Sequence, residues 1–179
     1  GVRFISLNSD QAEESDKFLQ LQKDWMERVL GSNPNKWTVV TFHHPIFSPK
    51  RTRDNKKMRD TFKPMFDKYK VDLVLQGHDH TYARGMDKIP MQGKAKSGTM
   101  YVVSVSGPKM TNSHVEKSDW MDRKAIYTQL FHVVEIDGDV LNFKTYTATG
   151  DIYDEFDLKK QKGAINRLIN KVPQNVAER

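Results

Sequence analysis

Hydrophobic and polar positions along the chain alternate in a way that predicts its elements. Val2 to Asn8 (VRFISLN) is apolar and β-rich and reads as a strand. Asp10 with Glu13 three residues on forms a helix-start pair, and Phe18, Leu21, Trp25 and Val29 then recur at spacings of three and four. The spacing predicts an amphipathic helix ending near Gly31, with Phe18 and Trp25 in the core. Asn33-Pro34-Asn35 turns the chain into a second strand, Trp37 to Phe42. A second helix runs from about Lys56 to Tyr69, with Met58, Phe62, Met65, Phe66 and Tyr69 on one stripe, and Pro64 is expected to kink or break it. Val71, Leu73 and Leu75 then alternate with Asp72 and Val74 in a buried strand that stops at Gly77.

Beyond Arg84 the glycines and prolines mark loops, and from Thr99 the pattern changes to strands alone. Thr99–Ser106, Thr128–Ile136, Val140–Ala148 and Ile152–Leu158 read as an antiparallel set, with hairpin turns at Asp137-Gly138 and Gly150-Asp151. Between them, Lys109 to Lys124 reads as a loop or short helix, and residues 161–179 as a tail with a short helix at Ala164–Lys171. The alternation of strand and helix at the start, followed by strands, predicts an α/β chain arranged as a sandwich: mixed sheets flanked by helices.

Composition narrows the chemistry. The chain has 179 residues and no cysteine, so any metal must be held by histidine, carboxylate, asparagine or tyrosine. No apolar run approaches the ~18 residues of a membrane span, and the mean hydropathy is −0.72. A formal charge of +6 favours anionic partners, phosphorylated substrates among them. The single dense basic cluster, residues 50–57 (KRTRDNKK), lacks the interleaved aromatics of a single-strand nucleic-acid platform and reads as a solvated loop.

Histidines carry the functional signal. His43 and His44 follow the second strand directly, and Pro45 stiffens the exit. His78 and His80 follow Gly77 at the end of another strand, where the glycine is expected to supply the turn. Open α/β sheets place ligand sites at the carboxyl ends of their strands, so His43, His78 and His80 are expected to converge on a metal. His132, alternating inside a strand, reads as structural, and His114 is a candidate to reach a substrate phosphate.

TFHHPIFS, VDLVLQGHDHTYAR, GTMYVVSVSGP and LFHVVEIDGDVLNFKTYTATGDIYDEFDL resemble the later sequence blocks of the calcineurin-like metallophosphoesterases, in particular the bacterial purple-acid-phosphatase-like branch. The resemblance runs from the first strand to about Leu158. It implies a sandwich flanked by helices with a dinuclear iron, manganese or zinc site at the strand ends. By position, His43 and His78 resemble ligands of one metal and His80 a ligand of the other. His44 is assigned a role in the catalytic pocket, and Tyr82 and Arg84 are placed at the substrate opening. Phosphate esters are the implied substrates, and export from the cytoplasm is the implied location.

The match is partial. The family's G-D strands and G-N-H-[DE] turn, which supply the bridging aspartate and catalytic histidine, have no counterpart here. The family order puts them before Gly1, so residues 1–160 are expected to be the C-terminal half of a catalytic domain. Three imidazoles without a bridging carboxylate do not offset the repulsion of two close cations. The isolated chain is therefore expected to be catalytically silent, holding at most one weakly bound metal. The alternatives are a non-catalytic accessory module on the same scaffold and an anion- or nucleic-acid-binding module using residues 50–57.

Overall fold

The computed structural model describes residues 1–87, 97–111, 115 and 117–179. Two sheets and a layer of helices make up the molecule. The first sheet has six strands in the order β1-β2-β3-β5-β4-β6: β1 (Val2–Ser6), β2 (Trp37–Thr41), β3 (Leu73–Gln76), β4 (Tyr82–Met86), β5 (Met100–Val103) and β6 (Arg123–Ala125). Strands β1, β2, β3 and β5 are mutually parallel where they pair, and β4 runs antiparallel to both β5 and β6. The second sheet is antiparallel, in the order β10-β9-β8-β7: β7 (Leu130–Asp137), β8 (Val140–Thr147), β9 (Ile152–Lys159) and β10 (Arg167–Asn170). The α/β sandwich with flanking helices is the architecture that the strand and helix periods predict.

Alternation along the strands builds two cores. On one face of the first sheet Ile5, Val40, Val74 and Tyr101 meet the helices α1 (Ser9–Glu14), α2 (Asp16–Gly31) and α3 (Lys56–Tyr69). On the other face Trp37, Val39, Leu73 and Val102 meet Leu141, Phe143, Tyr153, Phe156 and Leu158 of the second sheet. Period-two side-chain alternation makes this division possible, because neighbours in one strand serve different cores.

Several elements differ from the sequence reading. The first helix is two helices, broken at Ser15, whose extended backbone (φ −143°, ψ 122°) stops α1 and starts α2. Its cap is Asn8, whose side chain accepts the Gln11 N–H; the Asp10–Glu13 pair is not the cap. In α2 the buried stripe is Leu19, Met26 and Leu30, whereas Phe18 and Trp25 are 41% and 40% exposed. The helix carries apolar residues on two adjoining faces, and the sheet covers only one. Pro64 lies inside a continuous α3, since the helix closes around the missing N–H without losing its register.

The chain after Arg84 also departs from expectation. Residues 82–86 continue as β4, and the Thr99–Ser106 run is not part of the antiparallel set: β5 enters the first sheet between β3 and β4. Ala164–Lys171 is not helical; β10 pairs with β9 there, Leu168 opposite Leu158. Glycine at 85 is forced by packing, because a Cβ there would lie 1.6 Å from the Trp120 carbonyl oxygen.

Candidate metal centre

Parallel pairing aligns the carboxyl ends of three strands. Ser6 of β1 lies opposite Thr41 of β2, and Thr41 opposite Leu75 of β3. The ladder continues past the strands through Leu7 N–H to Thr41 O (3.0 Å), Phe42 N–H to Leu75 O (3.2 Å) and Gly77 N–H to His43 O (3.0 Å). Residues following these strands are thereby held at one rim. Ser9 arrives from β1, His43 and His44 from β2, and His78 from β3.

One ring nitrogen from each of His43, His44 and His78 lies within 4.8 Å of the others. His43 Nε2 and His78 Nδ1 are 2.9 Å apart, and the rings stand nearly perpendicular with centroids 4.8 Å apart. The His44 ring centroid is 4.4 Å from that of His78. His78 is a weak base, with its pKa pushed down to about 4 by burial first and then by the positive charge of Arg53 and the neighbouring imidazoles. A neutral imidazole is the form that ligates metal.

The loop between the two predicted ligands has a particular backbone. His78 (φ 70°) and His80 (φ 49°) both occupy the left-handed region, so the turn expected at Gly77 is made by the histidines themselves. Between them, Asp79 is fully buried. Arg53 Nε donates to its Oδ1 at 2.7 Å and Ser48 Oγ to its Oδ2 at 2.7 Å. These bonds anchor the loop to the segment after Pro45. Gln76 reinforces the link by donating from Nε2 to the His44 carbonyl at 3.1 Å.

Sequence-predicted site residues are only partly assembled. His43, His44 and His78 come together, and His80 is two residues farther along the loop and outside that group. Burial, then Lys109 and Lys50, depress the His80 pKa. Tyr82 and Arg84 are not at an opening. They are buried between the sheets, where the Tyr82 hydroxyl donates to Asp154 at 2.7 Å and Arg84 Nε and Nη2 donate to the same carboxylate at 2.7 and 2.9 Å. Successive residues of β4 face opposite sides, and this pair faces the second sheet rather than the rim. His114 lies outside the described residues. His132 is structural, joined to Ser104 Oγ and Thr145 Oγ1 at 2.6 and 3.0 Å.

Ser9, Ser48, Arg53 and Asp79 escaped the sequence reading. Ser9 and Asp79 both sit one to three residues past a strand end on the histidine rim, which is the signal that marks them.

The donor set suits one borderline cation with open positions: imidazole nitrogens delivered from the ends of separate strands. Among the described residues no carboxylate joins this histidine group. Asp79 is already engaged, and the Asp10 carboxylate comes only to 4.0 Å from His44 Nδ1.

The family profile described as calcineurin-like phosphoesterase matches residues 1–82, which include all four rim histidines. Over these residues the chain is similar to the calcineurin-like phosphoesterases. Purple acid phosphatase 4 of Arabidopsis thaliana is 26% identical over 144 residues, covering 80% of this chain and 40% of that protein. Purple acid phosphatase 7 of the same plant is 28% identical over 126 residues, covering 70% of this chain and 36% of its own length. The chain thus spans about two fifths of the length of these relatives. Its fold matches the solved purple acid phosphatase PPD1 of yellow lupin seeds with a TM-score of 0.68 at 19% identity, over 88% of this chain and 31% of that one. The likeness to this structure shows the fold that the chain takes. Among the described residues no helix is long and apolar enough to cross a membrane.

Proposed function

We propose that this chain carries the C-terminal histidine rim of a metal-dependent phosphoesterase that cleaves phosphate esters, with His43 and His78 on one metal and His80 reserved for a second. The convergence of imidazoles from β2 and β3 on one point carries the reading. When bound, such a metal supplies Lewis-acid polarisation of a phosphoryl oxygen and activation of a water molecule for in-line attack. Iron, manganese and zinc all suit these donors.

The protein's own groups set the geometry. The Asp79 anchor fixes the backbone that presents His78 and His80, so ligand directions are determined before any metal arrives. His44 belongs to the pocket beside the metal. An open cavity of about 380 Å³ lies along the loop after Pro45, lined by Lys50, Arg51, Arg53, Asp54, Arg59 and Trp120; with Arg53 engaged by Asp79 and Arg59 by Asp54, its remaining positive excess is modest and suits a small anion. That supports phosphoester recognition better than nucleic-acid binding. Within the basic cluster Arg53 is paired with Asp79, Lys56 with Asp60 and Lys57 with Asp16, which removes much of the field a polyanion needs.

Two cations roughly 3.5–4 Å apart need a bridging anion to offset their repulsion. The described histidine group contains none, so we propose that the isolated chain binds one ion weakly and does not turn over substrate. Titration with zinc or manganese, followed by assay with p-nitrophenyl phosphate, tests this. The expected result is one ion per chain, lost in His43→Ala and His78→Ala, and no phosphatase activity. Turnover by the purified chain that disappears in His78→Ala overturns the silence, and metal affinity indifferent to both substitutions overturns the metal role.

A further inference from the structure

Ser9 is the first residue after the β1 exit to enter α1, and it is 1% exposed. Its Oγ accepts two backbone hydrogen bonds, from His43 N–H and His44 N–H, both at 3.1 Å. A hydroxyl oxygen has two acceptor positions and one hydrogen. With both acceptor positions filled, the third contact, 3.0 Å to His44 Nδ1, must be one in which Ser9 donates. His44 Nδ1 is therefore the acceptor, and in the neutral ring the hydrogen resides on Nε2. The Asp10 carboxylate lies 4.0 Å from Nδ1, too far to draw the hydrogen there by a bond of its own.

Resting on the metal-centre reading above, we propose that Ser9 fixes His44 as the Nε2–H tautomer. This removes His44 from the ligand set of the three clustered histidines and makes it a hydrogen-bond donor to an oxygen of a phosphate held beside the metal. Ligation through Nε2 requires the hydrogen on Nδ1, where it would face an oxygen already receiving two N–H groups. Ligation through Nδ1 requires the Ser9 bond to break. Either route leaves a buried polar group without its partner. His43 and His78 instead contact each other, Nε2 to Nδ1 at 2.9 Å, a bond that a metal placed between the rings replaces. Ser9 is a positioning residue, and the same hydroxyl that sets the His44 ring also holds the backbone of both adjacent histidines.

The test uses the whole chain labelled with ¹⁵N, at mildly alkaline pH. Long-range ¹H–¹⁵N spectra of the wild type, which need no variant, are expected to give the Nε2–H pattern for His44; Ser9→Ala is expected to give a mixture of tautomers. On titration with zinc, His44→Ala should keep its affinity within about threefold, while His43→Ala and His78→Ala lose about tenfold or more. Inorganic phosphate added to the zinc-loaded chain should move the His44 Nε2–H resonance. An Nδ1–H pattern in the wild type overturns the proposal. So does zinc affinity lost in His44→Ala as fully as in His78→Ala, or a His44 resonance indifferent to phosphate. If His43→Ala and His78→Ala leave zinc binding intact, the metal reading fails, and the tautomer spectrum still decides the Ser9–His44 assignment.

Discussion

Replacing Asp154 by asparagine should be among the most damaging single changes to this chain. Asp154 is fully buried and accepts from the Tyr82 hydroxyl and from Arg84 Nε and Nη2 at 2.7, 2.7 and 2.9 Å. Arg123 Nε lies 3.9 Å away. Arg84 is itself 1% exposed and has Asn170 as a further acceptor, with Asp122 at 3.9 Å. The asparagine side chain has nearly the same shape but no charge. It leaves the Arg84 guanidinium inside the sandwich without a close counter-ion and turns an NH₂ toward groups that are donors. Breaking a buried pair from one side costs about 3–5 kcal/mol, a large part of the ~5–15 kcal/mol that holds a domain together. Urea unfolding followed by tryptophan fluorescence should show the midpoint falling by about 2 M for a slope near 2 kcal/mol/M. The double variant Asp154→Leu with Arg84→Met removes both charges and should recover most of the loss, because the pair matters chiefly through the penalty of separating its members. A loss below about 1 kcal/mol in Asp154→Asn, or no recovery in the double variant, would refute the reasoning.

Other consequences are open to measurement. Burial holds the His132 pKa down at about 4 against an ordinary value near 6.5, so its neutral form stabilises the fold fully above pH 6.5 and that contribution drains away as pH falls toward 4. By pH 5 the loss from this group is at most about 2 kcal/mol; the difference in urea midpoint between pH 7 and pH 5 should shrink in His132→Gln. Gly85→Ala places a methyl 1.6 Å from the Trp120 carbonyl and should cost about 3 kcal/mol or prevent folding, whereas Gly107→Ala, which meets nothing within 4 Å, should shift the melting temperature little. Arg53→Met removes a side-chain anchor of Asp79 and should lower zinc affinity about tenfold by isothermal titration without unfolding the chain.

The rim was legible in the sequence because two apolar strand runs, Trp37 to Phe42 and Val71 to Gln76, lead into histidines, and the helix between them predicts a parallel crossover that brings their carboxyl ends to one edge. Tyr82 and Arg84 were misread because adjacency to the G-H-x-H turn says nothing about which face β4 presents, and a polar pair is as suited to a buried ion cluster as to an opening. The buried face of α2 was hidden by apolar residues on both sides of the helix, so only the sheet decides between Leu19 and Phe18. Strand β10 was invisible locally: its four residues are extended because β9 offers an edge, and that is a tertiary fact. Ser9 escaped notice for a related reason, since a serine opening a helix after a strand has an ordinary local explanation.

The left-handed backbone at His78 and His80 sets durability against chemistry in this molecule. A residue with a Cβ held there costs on the order of 1 kcal/mol or more, and glycine would relieve it. Swapping His78 for glycine should therefore harden the apo chain against heat while stripping out a ligand. A library screened for thermal survival would drift toward erasing the site, and its winners would be sturdier proteins with nothing to grip a cation.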